Sequence, residues 1–116
     1  MANPQRLRRI ADQIQRELSD ILRNELKDPR VGMVTLTGVE VSPDVAHARV
    51  FFTTLGDAAA TEAGLRRAAG FARSALGRRL AIHNIPELHF QYDASVERGF
   101  RLSKLIDEAV SDKKPD

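Results

Sequence analysis

The chain has 116 residues, 42% of them apolar and 29% charged, which suits one soluble globular domain with one modest core. Its 18 Lys and Arg against 16 Asp and Glu leave a net charge of only +2, so gross charge alone names no partner. Cysteine is absent, which excludes disulfides, thiol catalysis and cysteine-ligated zinc or iron–sulfur sites, and agrees with a reducing cytoplasm. The stretch opening on Met1-Ala2-Asn3-Pro4 lacks the continuous apolar run of a secretory signal, and nothing approaches the roughly 20 apolar residues of a membrane span.

Leu7, Ile10, Ala11, Ile14, Leu18, Ile21, Leu22 and Leu26 recur at three- and four-residue steps and predict an amphipathic first helix. Asn3 is suited to cap it with Pro4 in its first turn, and Asp28-Pro29 is suited to stop it. Val34 to Val41 predicts a strand whose apolar alternation changes phase at Gly38. A bulge there would return Val34, Leu36, Val39 and Val41 to one face. Ser42-Pro43-Asp44 reads as a turn and Ala46 to Thr53 as a second strand, forming a hairpin that ends at Gly56-Asp57.

Thr61 to Leu80 predicts a helical stretch interrupted at Gly70, with Leu65, Ala68, Ala69, Ala72, Leu76 and Leu80 as a stripe of mostly small residues. Leu88, Phe90 and Tyr92 predict a third strand. Ser95 is placed to cap a short last helix through Leu102, Leu105, Ile106, Ala109 and Val110. The expected architecture is α+β, in the order α-β-β-α-kink-α-β with a short C-terminal helix, the helices packed on a three-stranded sheet. Residues 1–110 form the expected domain and residues 111–116 a polar, disordered tail.

Positive charge is concentrated between Gly64 and Pro86, which holds Arg66, Arg67, Arg73, Arg78 and Arg79 and no Asp or Glu. Guanidiniums without counter-charges suit a polyanion, because each can meet phosphate oxygens and release a condensed counterion. The bland alternative is a solvated, arginine-rich helix face. At about 100° per residue, Arg66 and Arg73 share one flank of the stripe, Arg67 and Arg78 point outward together, and Arg79 lies near the stripe edge. Phe51 and Phe71 are candidates for stacking on bases, although core packing is the commoner fate of such residues.

No catalytic motif is present. His47, His83 and His89 fall in no metal-binding pattern and read as exposed or RNA-facing rather than as ligands, so no metal and no cofactor is expected. Ser74 and Ser95 have no nucleophile context, and Glu40, Asp44, Glu87 and Asp93 sit around turns.

The element order resembles that of type II KH domains, in which a Gly-x-x-Gly break between helices clamps nucleotides. Here the break reads Ala68-Ala69-Gly70, and that substitution together with its surroundings resembles the bacterial ribosome-binding factor A family. The resemblance runs through Pro4-Gln5-Arg6, Lys27-Asp28-Pro29-Arg30, Gly38-Val39-Glu40-Val41-Ser42, Asp44, and Ala46 to Thr53. It continues with Ala68 to Ser74, Leu76-Gly77, Ile85-Pro86-Glu87-Leu88, Tyr92-Asp93, Ser95 and Gly99 to Ile106. It implies a cytoplasmic, monomeric, non-enzymatic assembly factor. Such a factor binds the free small ribosomal subunit and promotes late maturation and 5′-end processing of 16S rRNA, above all in the cold. A ribosome-associated GTPase assists its release in some bacteria.

On that reading Ala68 and Gly70 let RNA backbone approach, or merely permit tight packing. Arg66, Arg67, Arg73, Arg78 and Arg79 are the phosphate contacts, with Arg6, Arg8 and Arg9 as a second tier. Arg30, Arg101 and Lys104 are accessory candidates. Two other classes compete: an adaptor docking an acidic protein through the same basic face, and a small enzyme using His47 or His89.

Overall fold

The computed structural model describes residues 3–26, 28, 31, 33–82 and 84–95. The expected last helix and tail, Pro29 of the Asp28-Pro29 stop, Arg30, His83, Arg101 and Lys104 lie outside the described residues.

Helix α1 spans Pro4–Asp20, and Asn3 caps it by accepting a hydrogen bond from the Gln5 N–H at 2.8 Å. Its stripe buries Ile10, Ala11, Ile14 and Leu18, which are at most 8% exposed. The regular helix then widens into one π-helical turn, Ile21–Glu25, closed by the Leu26 N–H donating to the Ile21 carbonyl at 3.0 Å. The wider turn carries consecutive Ile21 and Leu22 inward while Arg23, Asn24 and Glu25 stay exposed. An apolar period of 3.6 does not distinguish this turn from ordinary helix, so the first helix ends earlier than its stripe suggests.

Strands β1 (Val34–Val41) and β2 (His47–Thr54) form the expected antiparallel hairpin. Leu36 pairs with Phe52 and Gly38 with Phe51, leaving Thr37 unpaired in a bulge. The bulge puts Leu36, Val39 and Val41 opposite Phe52, Val50 and Ala48, so both apolar pairs of β1 serve the core. At the hairpin turn Val45 adopts φ 58°, a left-handed conformation that costs a β-branched residue roughly 1–2 kcal/mol. Asp44 holds the turn by accepting from the Ser42 hydroxyl at 2.6 Å and the Ala46 N–H at 3.1 Å.

Helix α2 runs without interruption over Ala58–Arg79. The break expected at Gly70 is therefore absent: Leu65, Ala68, Ala72, Ala75 and Leu76 are all buried, and their packing outweighs the roughly 1 kcal/mol intrinsic cost of one glycine. The helix begins earlier than its stripe because Asp57 accepts from the Ala59 and Ala60 N–H groups at 2.9 and 3.4 Å. Strand β3 (Glu87–Tyr92) lies parallel to β2, giving the sheet order β1-β2-β3 with β2 central.

The architecture is α+β. Both helices contact the same face of the sheet, with Phe52, Val50, Ala48, Leu88 and Phe90 beneath them. The small side chains of α2 allow its axis close to the sheet, and Phe52 meets Tyr92 edge-on at 5.8 Å between ring centroids. On the other sheet face Thr35, Glu40, His47, Arg49, Glu87, His89 and Gln91 are exposed.

Candidate nucleic-acid interface

Burying the alanine–leucine stripe of α2 fixes what its opposite side presents. Ala63, Arg67, Gly70, Phe71, Ser74 and Arg78 recur at three- and four-residue steps, and all are exposed. Because α2 is continuous, the angular grouping of its arginines holds along the whole helix. Arg67 and Arg78 stand about 16 Å apart on the axis, with Gly70, Phe71 and Ser74 between them. A Cβ built on Gly70 meets nothing within 4 Å, so the backbone there is open to an approaching ligand. Phe71 is 45% exposed and does not join the core.

The five arginines of this segment separate by what they hold. Arg67 and Arg78 make no ion pair among the described residues. Arg66 pairs with Glu62 one turn earlier at 3.0 Å, its side chain 71% exposed. Arg73 donates from Nε and Nη2 to the Ile85 carbonyl at 3.1 and 2.8 Å, tethering the segment that leads into β3. Arg79 reaches across to α1 and its π-turn, meeting Asp20 at 2.6 Å, Glu17 at 3.1 Å and Glu25 at 3.2 Å.

That tie shifts the ionisation of Asp20 and Arg79. Hydrogen bonds from Arg79 and then Asn24 hold the Asp20 carboxyl below the usual carboxylate range, and Asp20 and Glu17 push the Arg79 guanidinium further up. Three carboxylates around one guanidinium make Arg79 a clamp between helices, so it is the least available of the five for phosphate. Ala68 is also turned from solvent, at 8% exposure, which matches tight packing and leaves Gly70 alone at the open surface.

Arg6, Arg8 and Arg9 are exposed at the start of α1. They stand about 16–21 Å along that helix from Asp20, at the end opposite the Arg79 tie. Elsewhere, His47 and His89 lie side by side on the exposed sheet face, Nδ1 to Nε2 at 3.0 Å, with Glu87 3.8 Å from His47. Sequence reading kept these residues apart because the pairing of β2 with β3 across α2 leaves no local signal. It also undervalued Phe71, whose place opposite the buried stripe was legible once the helix was taken as unbroken.

Comparison with known proteins gives this geometry a lineage. The family model for ribosome-binding factor A matches residues 6–106. A ribosome-binding factor A from Nitrosospira multiformis is 65% identical over 106 residues, covering 89% of this chain and 84% of that protein. The crystal structure of ribosome-binding factor A from Thermus thermophilus superposes with a TM-score of 0.71 at 26% identity, covering 74% of this chain and 93% of that one. The Thermus thermophilus factor fitted into the cryo-EM map of a 30S–RbfA complex gives a TM-score of 0.64 at 26% identity, over 72% of this chain and 91% of that one. A family match over residues 6–106, which spans nearly all of α1, all of α2 and all three strands, leaves one assignment: this chain belongs to the ribosome-binding factor A family.

Proposed function

We propose that this protein is a ribosome assembly factor. It binds the free small ribosomal subunit through rRNA, promoting late maturation and 5′-end processing of 16S rRNA. The observation that carries the reading is the face of α2 on which Arg67 and Arg78, without ion pairs among the described residues, flank the open backbone of Gly70, in a family with a member fitted into a 30S complex. Arg67 and Arg78 neutralise phosphates, Gly70 admits the sugar–phosphate backbone, and Phe71 and Ser74 offer a stacking surface and a hydroxyl. Arg66 joins by exchanging Glu62 for phosphate. Arg73 and Arg79 hold the scaffold under this face, Ala68 packs it, and Arg6, Arg8 and Arg9 extend contact along α1.

The mechanism is conformational. The protein binds one arrangement of immature rRNA more tightly than others and so shifts the population toward it, with no bond made or broken by its own residues. The protein acts as a monomer in the cytoplasm, matters most in the cold where misfolded rRNA escapes slowly, and is released with help from a ribosome-associated GTPase.

Co-sedimentation of the purified protein with free small subunits, large subunits and intact ribosomes across a salt series tests this. Selective association with small subunits that weakens steeply with salt is the expected result. Association with none of them by a folded protein would overturn it and direct attention to an acidic protein partner.

A further inference from the structure

We propose that His47, His89 and Glu87 form a binding site for a divalent transition-metal ion on the exposed face of the sheet. The site follows from strand register. β2 and β3 run parallel with His47 opposite Glu87 and Arg49 opposite His89. Glu87 and His89 are two residues apart on β3 and therefore point to the same side, and His47 on β2 reaches the same space.

The donor atoms already stand at ligand spacing. His47 Nδ1 lies 3.0 Å from His89 Nε2 and 3.8 Å from Glu87 Oε2, and the three donors fall within 4.8 Å of one another. Metal–nitrogen and metal–oxygen bonds of about 2.0–2.1 Å at tetrahedral angles separate ligand atoms by about 3.3 Å, inside that range. An ion would take the place of the hydrogen bond that now joins the two imidazoles. Two imidazoles and one carboxylate are borderline donors suited to zinc, cobalt, nickel or copper rather than to magnesium or calcium.

The surroundings permit access and leave coordination positions open. An open depression of about 350 Å³, lined in part by His47, His89, Glu40 and Arg49, adjoins the donors. Arg49, opposite His89 in the register, pairs with Glu40 of β1 at 3.8 Å. Three protein ligands leave at least one position for water or for an oxygen of a partner. The bound ion would also staple β2 to β3, two paired strands whose chain connection runs through the long α2 crossover, so binding and folding stability are linked.

The test uses the full chain without a polyhistidine tag. Cobalt(II) titration followed by visible absorption, with zinc(II) competition, reads affinity and stoichiometry. One equivalent is expected, and zinc should raise the melting temperature. His47→Ala and His89→Ala should each weaken binding by at least about tenfold and abolish the zinc-dependent thermal shift, with Glu87→Gln weakening it less.

Retention of full affinity in both histidine variants, or loss only in His83→Ala, would place the ion elsewhere and overturn the proposal. So would the absence of stoichiometric binding. Should an alanine variant fail to fold, paramagnetic broadening of wild-type amide signals decides the matter. Broadening centred on 47 and 87–89 supports the site, and broadening centred elsewhere removes it.

Discussion

Gly70→Ala separates the two reasons a glycine can occupy the middle of α2. The position is helical, no described glycine has a positive φ, and an added Cβ meets nothing within 4 Å. Alanine is therefore sterically free there, and the helix-propensity difference of about 0.8–1.0 kcal/mol should appear almost in full. For a domain of 116 residues that raises the melting temperature by about 3–4 °C. The same methyl would stand where RNA backbone is proposed to approach, and displacing one phosphate contact costs about 1–1.5 kcal/mol, roughly tenfold in affinity.

Thermal unfolding by circular dichroism and co-sedimentation with small subunits at one fixed salt concentration measure the two effects on one protein. Gly77→Ala is the control, since its Cβ would sit 3.4 Å from Ile85 Cγ1 on another flank of the helix. The added methyl makes only ordinary contact there, so this variant should gain comparable stability and leave binding intact. A lower melting temperature for Gly70→Ala would refute the unbroken helix. A higher melting temperature with unchanged binding would refute the role of Gly70 in admitting RNA.

Three further outcomes are expected. Replacing Arg67 and Arg78 together by alanine should remove about two counterions from the salt slope, so that between 50 and 200 mM salt the variant loses roughly tenfold less affinity than the parent; an unaltered slope would exclude both as phosphate contacts. Phe71→Ala should change stability by less than about 0.5 kcal/mol because the ring is outside the core, yet weaken rRNA binding by about 1–3 kcal/mol through lost stacking. Equal binding by that variant would assign the ring no such role. Asp20→Asn tests the Arg79 tie by pH. The folded carboxyl titrates below its unfolded value, so its stabilisation is present above the usual carboxylate range and disappears as pH falls through the folded value. Urea midpoints should differ near neutrality and converge as pH falls through the folded value of the carboxyl, and a gap that persists in acid would mean the aspartate contributes by packing or hydrogen bonding alone.

Much of the scaffold was legible because local chemistry and tertiary packing agree. The phase change of β1 across Gly38 forecast a bulge, and the register places the unpaired residue next door at Thr37. Asn3 and Pro4 marked the start of α1 correctly. Gly70 misled because intrinsic propensity predicts a break that the buried face of α2 overrides. Arg79 ranked beside Arg67 and Arg78 on charge alone, but its acidic partners are 54 to 62 residues away in sequence and became visible only when the two helices met. The outward pair Arg67 and Arg78 needed only the helical period, which is why the angular argument singled them out.

The parallel pairing of β2 with β3 has a consequence for how the chain is made. The first pair in that register joins His47 to Glu87, a separation of 87 − 47 = 40 residues, whereas β1 and β2 are joined by a short turn. At about 5–20 residues per second of synthesis, β2 would wait roughly 2–8 s for its second neighbour. During that interval the hairpin has α1 packed on β1 but only an unpaired backbone edge of β2 where β3 will sit. The hairpin closes cheaply and early, and the third strand arrives with a higher loop-closure cost. Premature strand pairing with another nascent chain would therefore act at that edge of β2, and α2, in bringing β3 back alongside, is the element that ends the exposure.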